Sequence, residues 1–136
     1  MDARSWGLAV AMAAIACAPP EKPRDGEFVQ HGRTYTAWLY SSDYNKLWDR
    51  FSPDMRQTFG SVADLASFAG QALTHLGKER QVVNERVQGA DPFRVYTRNA
   101  AFDKSRQAML IEWSLAQDGA VTGLVVRPAP ADSARQ

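Results

Sequence analysis

What this chain lacks narrows its class before any residue is singled out. It has one cysteine in 136 residues, so no internal disulfide can form, and two histidines, His31 and His75, neither with an Asp, Glu or Cys at metal-ligand spacing. Sixteen Lys and Arg against 15 Asp and Glu leave a net charge of +1, with both signs interspersed. Such a balance gives no electrostatic footprint for nucleic acid or an anionic membrane surface. No apolar run approaches the roughly 20 residues that a bilayer-spanning helix needs. Neither a Ser-x-x-Lys nor a Gly-x-Ser-x-Gly nucleophile motif occurs, so serine-hydrolase chemistry has no anchor here. Nothing in the pattern calls for a metal or another cofactor.

What is present begins with a leader. A short polar start containing Arg4 precedes the small and apolar run Gly7 to Ala16, which leads directly into Cys17-Ala-Pro-Pro. The run suits the apolar region of an export signal. Ala14, Ile15 and Ala16 before the cysteine resemble the lipobox of bacterial lipoproteins, with Ala14 at the position usually filled by Leu. In that family the cysteine is lipidated and becomes the first mature residue. The resemblance implies an exported protein anchored in the cell envelope through Cys17, on the periplasmic side or at the cell surface. The alternative is ordinary secretion with an incidental cysteine. Residues 1–16 thus read as a signal peptide and 17–26 as a lipidated Cys with a Pro- and charge-rich tether. A single domain is expected over 27–128, followed by a disordered tail at 129–136.

Within that domain the hydrophobic period changes once. Glu27 to Tyr40 fits a helix only loosely, through Phe28, Tyr35, Trp38 and Leu39. Tyr44, Leu47, Trp48 and Phe51 follow at i, i+3, i+4, i+7, and Trp48 and Phe51 are expected in the core. Ser52-Pro53 and Ser61 to Asp64 are helix-start signals, and Gly60 and Gly77 are stops. After Gly77 the period becomes two. Arg80 to Val87 alternates Val83, Glu85 and Val87 against Val82, Asn84 and Arg86. Phe93 to Ala101 forms a second strand. In Arg106 to Ala116, Met109, Ile111, Trp113 and Leu115 share one face and Leu110, Glu112 and Ser114 the other. Asp118-Gly119 marks a turn into Val121 to Arg127. Helices followed by a four-stranded antiparallel sheet make an α+β domain.

This order of elements, with the stretch Leu39 to Gly60 carrying Leu47-Trp48-x-x-Phe51-Ser52-x-x-Met55, resembles small bacterial NTF2-like domains of unknown function. These are also described as cystatin-like or steroid-isomerase-like. The resemblance extends over about Phe28 to Pro128 and implies helices packed on a curled sheet that forms a cone. Similar domains occur alone behind signal peptides or N-terminal to serine β-lactamase-like hydrolases. The matching residues are packing and capping residues, so the resemblance implies a fold and not a chemistry.

The candidate site follows from aromatic and charged residues that a cone would gather. Tyr35, Trp38 and Tyr40 lie in the aromatic-rich first half, and Tyr96, Arg98 and Glu112 on strands. Together they are the expected lining of a ligand pocket, with Arg98 and Glu112 as a charge-assisted pair. Glu85 and Arg86 are further strand charges, more simply read as cross-strand pairs on a solvated face. His31 and His75 are expected at the surface. The leading functional expectation is non-catalytic binding of a small apolar or aromatic ligand or of a protein partner, with a homodimer through the sheet face as a further possibility. The alternative is a small isomerase- or hydrolase-like enzyme with acid/base residues in the cone. Convergence of ionisable side chains in the pocket is the feature that separates the two.

Overall fold

The computed structural model describes residues 25–131; the leader, Cys17, most of the tether and the last five residues lie outside them. Four helices precede four strands: α1 (Asp25–Tyr40), α2 (Tyr44–Asp49), α3 (Pro53–Phe59), α4 (Val62–Leu76), β1 (Glu79–Gln88), β2 (Phe93–Phe102), β3 (Met109–Ala116) and β4 (Val121–Pro128). The strands form one open antiparallel sheet in the order β1-β2-β3-β4. The class is α+β.

Local chemistry accounts for the element ends. The Ser52 hydroxyl accepts from the Met55 amide, with Pro53 opening α3. The Ser61 hydroxyl accepts from the Asp64 amide and donates to its carboxylate, which starts α4. Gly77 stops α4 at φ 74. The β3–β4 hairpin closes through reciprocal backbone bonds between Ala116 and the Gly119–Ala120 pair, with Gly119 at φ 82. Three boundaries differ from expectation. Strand β3 begins at Met109, three residues after the expected Arg106, because Arg106 and Gln107 form a bend. Helix α1 begins at Asp25, inside the expected tether, and Ala129, expected in the tail, is 3% exposed and bonded to Ala108.

The core lies between α1 and one face of the sheet. Phe28, Gly32, Tyr35, Thr36 and Leu39 are the buried stripe of α1, whose apolar spacing is loose in sequence because Gly32 stands where a large side chain would be expected. The glycine is required there: a Cβ at Gly32 would lie 2.1 Å from Cδ1 of Tyr96. Above it, the Thr36 hydroxyl donates to the Gly32 carbonyl and accepts from the Trp113 indole at 3.0 Å, so the buried polar atoms satisfy one another. In α2 the buried residue is Leu47; Trp48 is only half-buried, at the edge of the core against Phe51. The junction between α2 and α3 is stitched to β4, with the Ser52 amide donating to Val121 and the Val121 amide to Arg50.

Two irregularities in β1 decide what the sheet presents to α1. Its register against β2 shifts between Glu79 and Gln81 and again between Val82 and Asn84. Glu79 therefore pairs with Phe102, Val82 with Ala100, Glu85 with Arg98 and Val87 with Tyr96. Phe102, Ala100 and Tyr96 are all buried against the helices, so Glu79, Val82, Glu85 and Val87 share that face. Strict alternation would put Val82 opposite to Glu85; the bulges place them side by side and turn Val83 outward, 39% exposed.

Candidate functional site

A cavity of about 1170 Å³ opens between α1, the C-terminal end of α4 and the β1–β2 edge of the sheet. From α1 it takes Arg33, Thr36, Ala37 and Tyr40, a second helical stripe beside the buried one. From β1 and β2 it takes Glu79, Val82, Glu85 and Arg98. Leu73 of α4 closes the apolar wall, and Lys78 and Lys104 stand at the end nearest Gly77.

The floor is one hydrogen-bonded network. Arg98 makes a two-pronged pair with Glu79, Nη2 to Oε1 at 2.6 Å and Nε to Oε2 at 2.9 Å, and its Nη1 reaches Glu85 at 3.1 Å. Tyr40 donates to Glu79 at 2.6 Å, and Tyr96 donates to Glu85 while accepting from Arg98. Arg33 completes the set with Nη2 to Glu85 Oε2 at 2.7 Å. The Arg98 and Glu79 side chains are only 15% and 14% exposed, which makes the charge-assisted bonds strong and the loss of either partner costly.

The same contacts set the protonation states. The bond from Arg33 chiefly holds the Glu85 carboxyl down at about 2, aided by Tyr96 and opposed by burial. Burial acts to raise Glu79, but bonds from Arg98 and Tyr40 outweigh it and the net direction is down. Tyr40 is pushed far up by burial and by its bond to Glu79, and Tyr96 up to about 12 by burial and by Glu85. Arg98 is raised further by Glu79. At neutral pH both carboxylates are ionised, both phenols are protonated and the guanidinium is charged. None of these five groups is poised to exchange a proton near pH 7, which is what a general acid or base requires.

Of the expected site residues, Tyr40 and Arg98 line the cavity and Tyr96 lies directly beneath it. Three do not belong to it. Tyr35 is buried elsewhere, donating to the Gly119 carbonyl and accepting from Arg50 at 3.0 Å. Trp38 is half-buried with its ring 5.7 Å from that of Tyr35. Glu112 is on the opposite face of the sheet, paired with Arg127 at 2.8 Å. The expected Arg98–Glu112 pair fails on register: Arg98 stands opposite Ile111, whose side chain is in the core, and Glu112 opposite Thr97. Glu79 and Glu85 take the role assigned to Glu112.

Arg33, Glu79, Lys78 and Lys104 were not legible as site residues. Arg33 alone had a signal, its i, i+3, i+4, i+7 spacing with Thr36, Ala37 and Tyr40. His75 is exposed, whereas His31 stacks on Tyr35 at 5.7 Å and is held below its ordinary value by burial and then by Arg50. Among the described residues no group of three His, Cys, Asp or Glu is placed to hold a metal ion. Comparison with models of known families, with curated proteins and with solved structures finds no match to this chain.

Proposed function

We propose that this chain is an exported, lipid-anchored NTF2-like domain that binds a small molecule, without catalysis, in the cavity between α1 and the β1–β2 edge. The single observation that carries the binding reading is the network of Arg33, Tyr40, Glu79, Glu85, Tyr96 and Arg98 at the floor of that cavity. A preorganised set of charged donors and acceptors below the apolar side chains of Ala37, Leu73 and Val82 is how ligand pockets combine orientation with affinity. The helices-then-meander order supports the NTF2-like assignment, and the run ending at Cys17 supports the anchor.

The enzyme alternative draws on the convergence of ionisable side chains in one pocket. Their fixed protonation states argue against acid/base turnover and for recognition. A homodimer through the sheet face has less support, because the middle of that face carries Arg86, Thr97, Glu112 and Ser114.

A thermal-shift screen of the protein against envelope metabolites tests the binding reading, with Val82→Trp as the cavity-filling control. Ligands that raise the melting temperature of the wild type and not of Val82→Trp support it. Ligands whose effect survives Val82→Trp place binding elsewhere. The anchor is tested separately by labelled palmitate: incorporation into the wild type and not into Cys17→Ser is expected, and no incorporation into either would exclude it.

A further inference from the structure

We infer that the ligand of this cavity is an amphiphile with an anionic head, a carboxylate or a phosphate, held at the mouth by Lys78 and Lys104. The inference rests on the binding reading above and adds the ligand's chemical class. It follows from charge accounting around the cavity. On the floor, Arg33 and Arg98 are matched by Glu79 and Glu85, so that part is neutral and its carboxylates are already committed.

At the mouth the balance is different. Among the described residues Asp103 is the only carboxylate at that end of the lining, and its ion pair is with Arg80, outside the lining, at 3.7 Å. Among the described residues neither Lys78 nor Lys104 has an ion-pair partner. Two ammonium groups therefore border one opening beside a single lining carboxylate that Arg80 already engages.

The backbone holds the two lysines there. The Asp103 amide donates to the Lys78 carbonyl and the Lys104 amide to the Leu76 carbonyl, both at 2.9 Å. Gly77 lets the chains approach, since a Cβ on it would lie 3.0 Å from Cγ of Lys104. Behind the lysines the wall is apolar, from Leu73, Val82 and Ala37. An anionic head at the lysines with an apolar body along that wall satisfies both halves. A cationic head would meet an excess of like charge, and a neutral one would leave the lysines unused.

Four probes that share one chain test this: octanoate, octyl phosphate, 1-octanol and octyltrimethylammonium. Each is titrated calorimetrically into the protein below its micelle concentration and at low ionic strength, where such charges are least screened. Octanoate or octyl phosphate should bind at least tenfold more tightly than the other two. The doubly charged octyl phosphate binding more tightly than octanoate assigns a phosphate head; the reverse assigns a carboxylate. Both lysines are exposed, so Lys78→Glu/Lys104→Glu should keep the fold, lose that preference by tenfold or more and gain affinity for the cationic probe. Lys78→Ala/Lys104→Ala should lose the preference without the gain. Equal or tighter binding of octanol or octyltrimethylammonium to the wild type overturns the anionic class and leaves the cavity reading standing. Unchanged anion affinity in both lysine variants overturns the lysine assignment. If none of the four binds while the screen returns ligands sensitive to Val82→Trp, the amphiphile class is wrong and the cavity is still the site.

Discussion

Glu79 and Glu85 accept from one guanidinium: Nη2 of Arg98 reaches Glu79 at 2.6 Å and Nη1 reaches Glu85 at 3.1 Å. Arg98 thus separates two carboxylates that would otherwise repel each other in a half-buried site. Each carboxylate also has its own phenol, Tyr40 for Glu79 and Tyr96 for Glu85. The geometry makes Arg98 the residue on which the site depends.

Arg98→Ala should destabilise the domain by about 3 kcal/mol, because it leaves Glu79 without its guanidinium and removes one of the two serving Glu85. Arg98→Met/Glu79→Leu should recover much of that loss, since both charges leave together. Urea denaturation of Arg98→Met, Glu79→Leu and the double variant reads the coupling. Strictly additive effects would mean that the pair holds nothing together.

Gly32→Ala sets two effects against each other. Alanine favours a helix over glycine by about 1 kcal/mol. The added methyl group, however, falls 2.1 Å from Cδ1 of Tyr96, and overpacking costs roughly 1–3 kcal/mol. Net destabilisation is expected, and Tyr96→Leu should relieve part of it when the two are combined. A Gly32→Ala protein that melts higher than wild type would show that α1 is free to move off the sheet.

Acidification should weaken the fold through the same network. The Glu85 carboxyl is near 4.5 in the unfolded chain and about 2 when folded. Over that interval the unfolded state binds more protons, so stability is full above about pH 4.5 and is lost as the pH falls toward 2. Glu79 acts in the same direction. Denaturation midpoints measured from pH 7 to pH 3 should fall less steeply for Glu85→Gln than for wild type; parallel curves count against the assignment.

His31 should titrate below 6.5 in an NMR pH series, because burial and then Arg50 disfavour its imidazolium more than Glu27 and Asp118 favour it. Arg50→Gln should raise the midpoint. The sign for folding is the same as above: the His31 contribution is present at higher pH and declines as the pH falls below 6.5. A midpoint above 6.5 would put the carboxylates in control.

Trp113 and Trp48 should separate sharply on truncation. Trp113 is fully buried, bonded to Thr36 and edge-on to Tyr35, so Trp113→Ala should cost on the order of 3–5 kcal/mol. That is a large part of an ordinary domain's stability of about 5–15 kcal/mol. Trp48 sits at the rim, and Trp48→Ala should cost clearly less. Comparable melting temperatures for the two variants would contradict the difference in burial.

The order and type of the elements are legible in residues close along the chain, because the chemistry of their ends is local. Ser52 and Ser61 reach amides three residues on, Gly60 and Gly77 adopt positive φ, and Asp118-Gly119 turns a hairpin. The phase of β3 was equally legible, since Ile111, Trp113 and Leu115 alternate cleanly with Glu112 and Ser114. Membership of the site was not local. Joining Glu112 to Arg98 required the register between β2 and β3, and that register puts them on opposite faces. Joining Glu79, Val82 and Glu85 required two bulges in an edge strand, which change the spacing of inward residues from two to three and leave no mark in the alternation. Gly32 was invisible for a related reason: its place in the core is filled by a ring from β2. Local end chemistry set the elements; pairing register and close packing, which exist only once distant segments meet, decided where the charges converge.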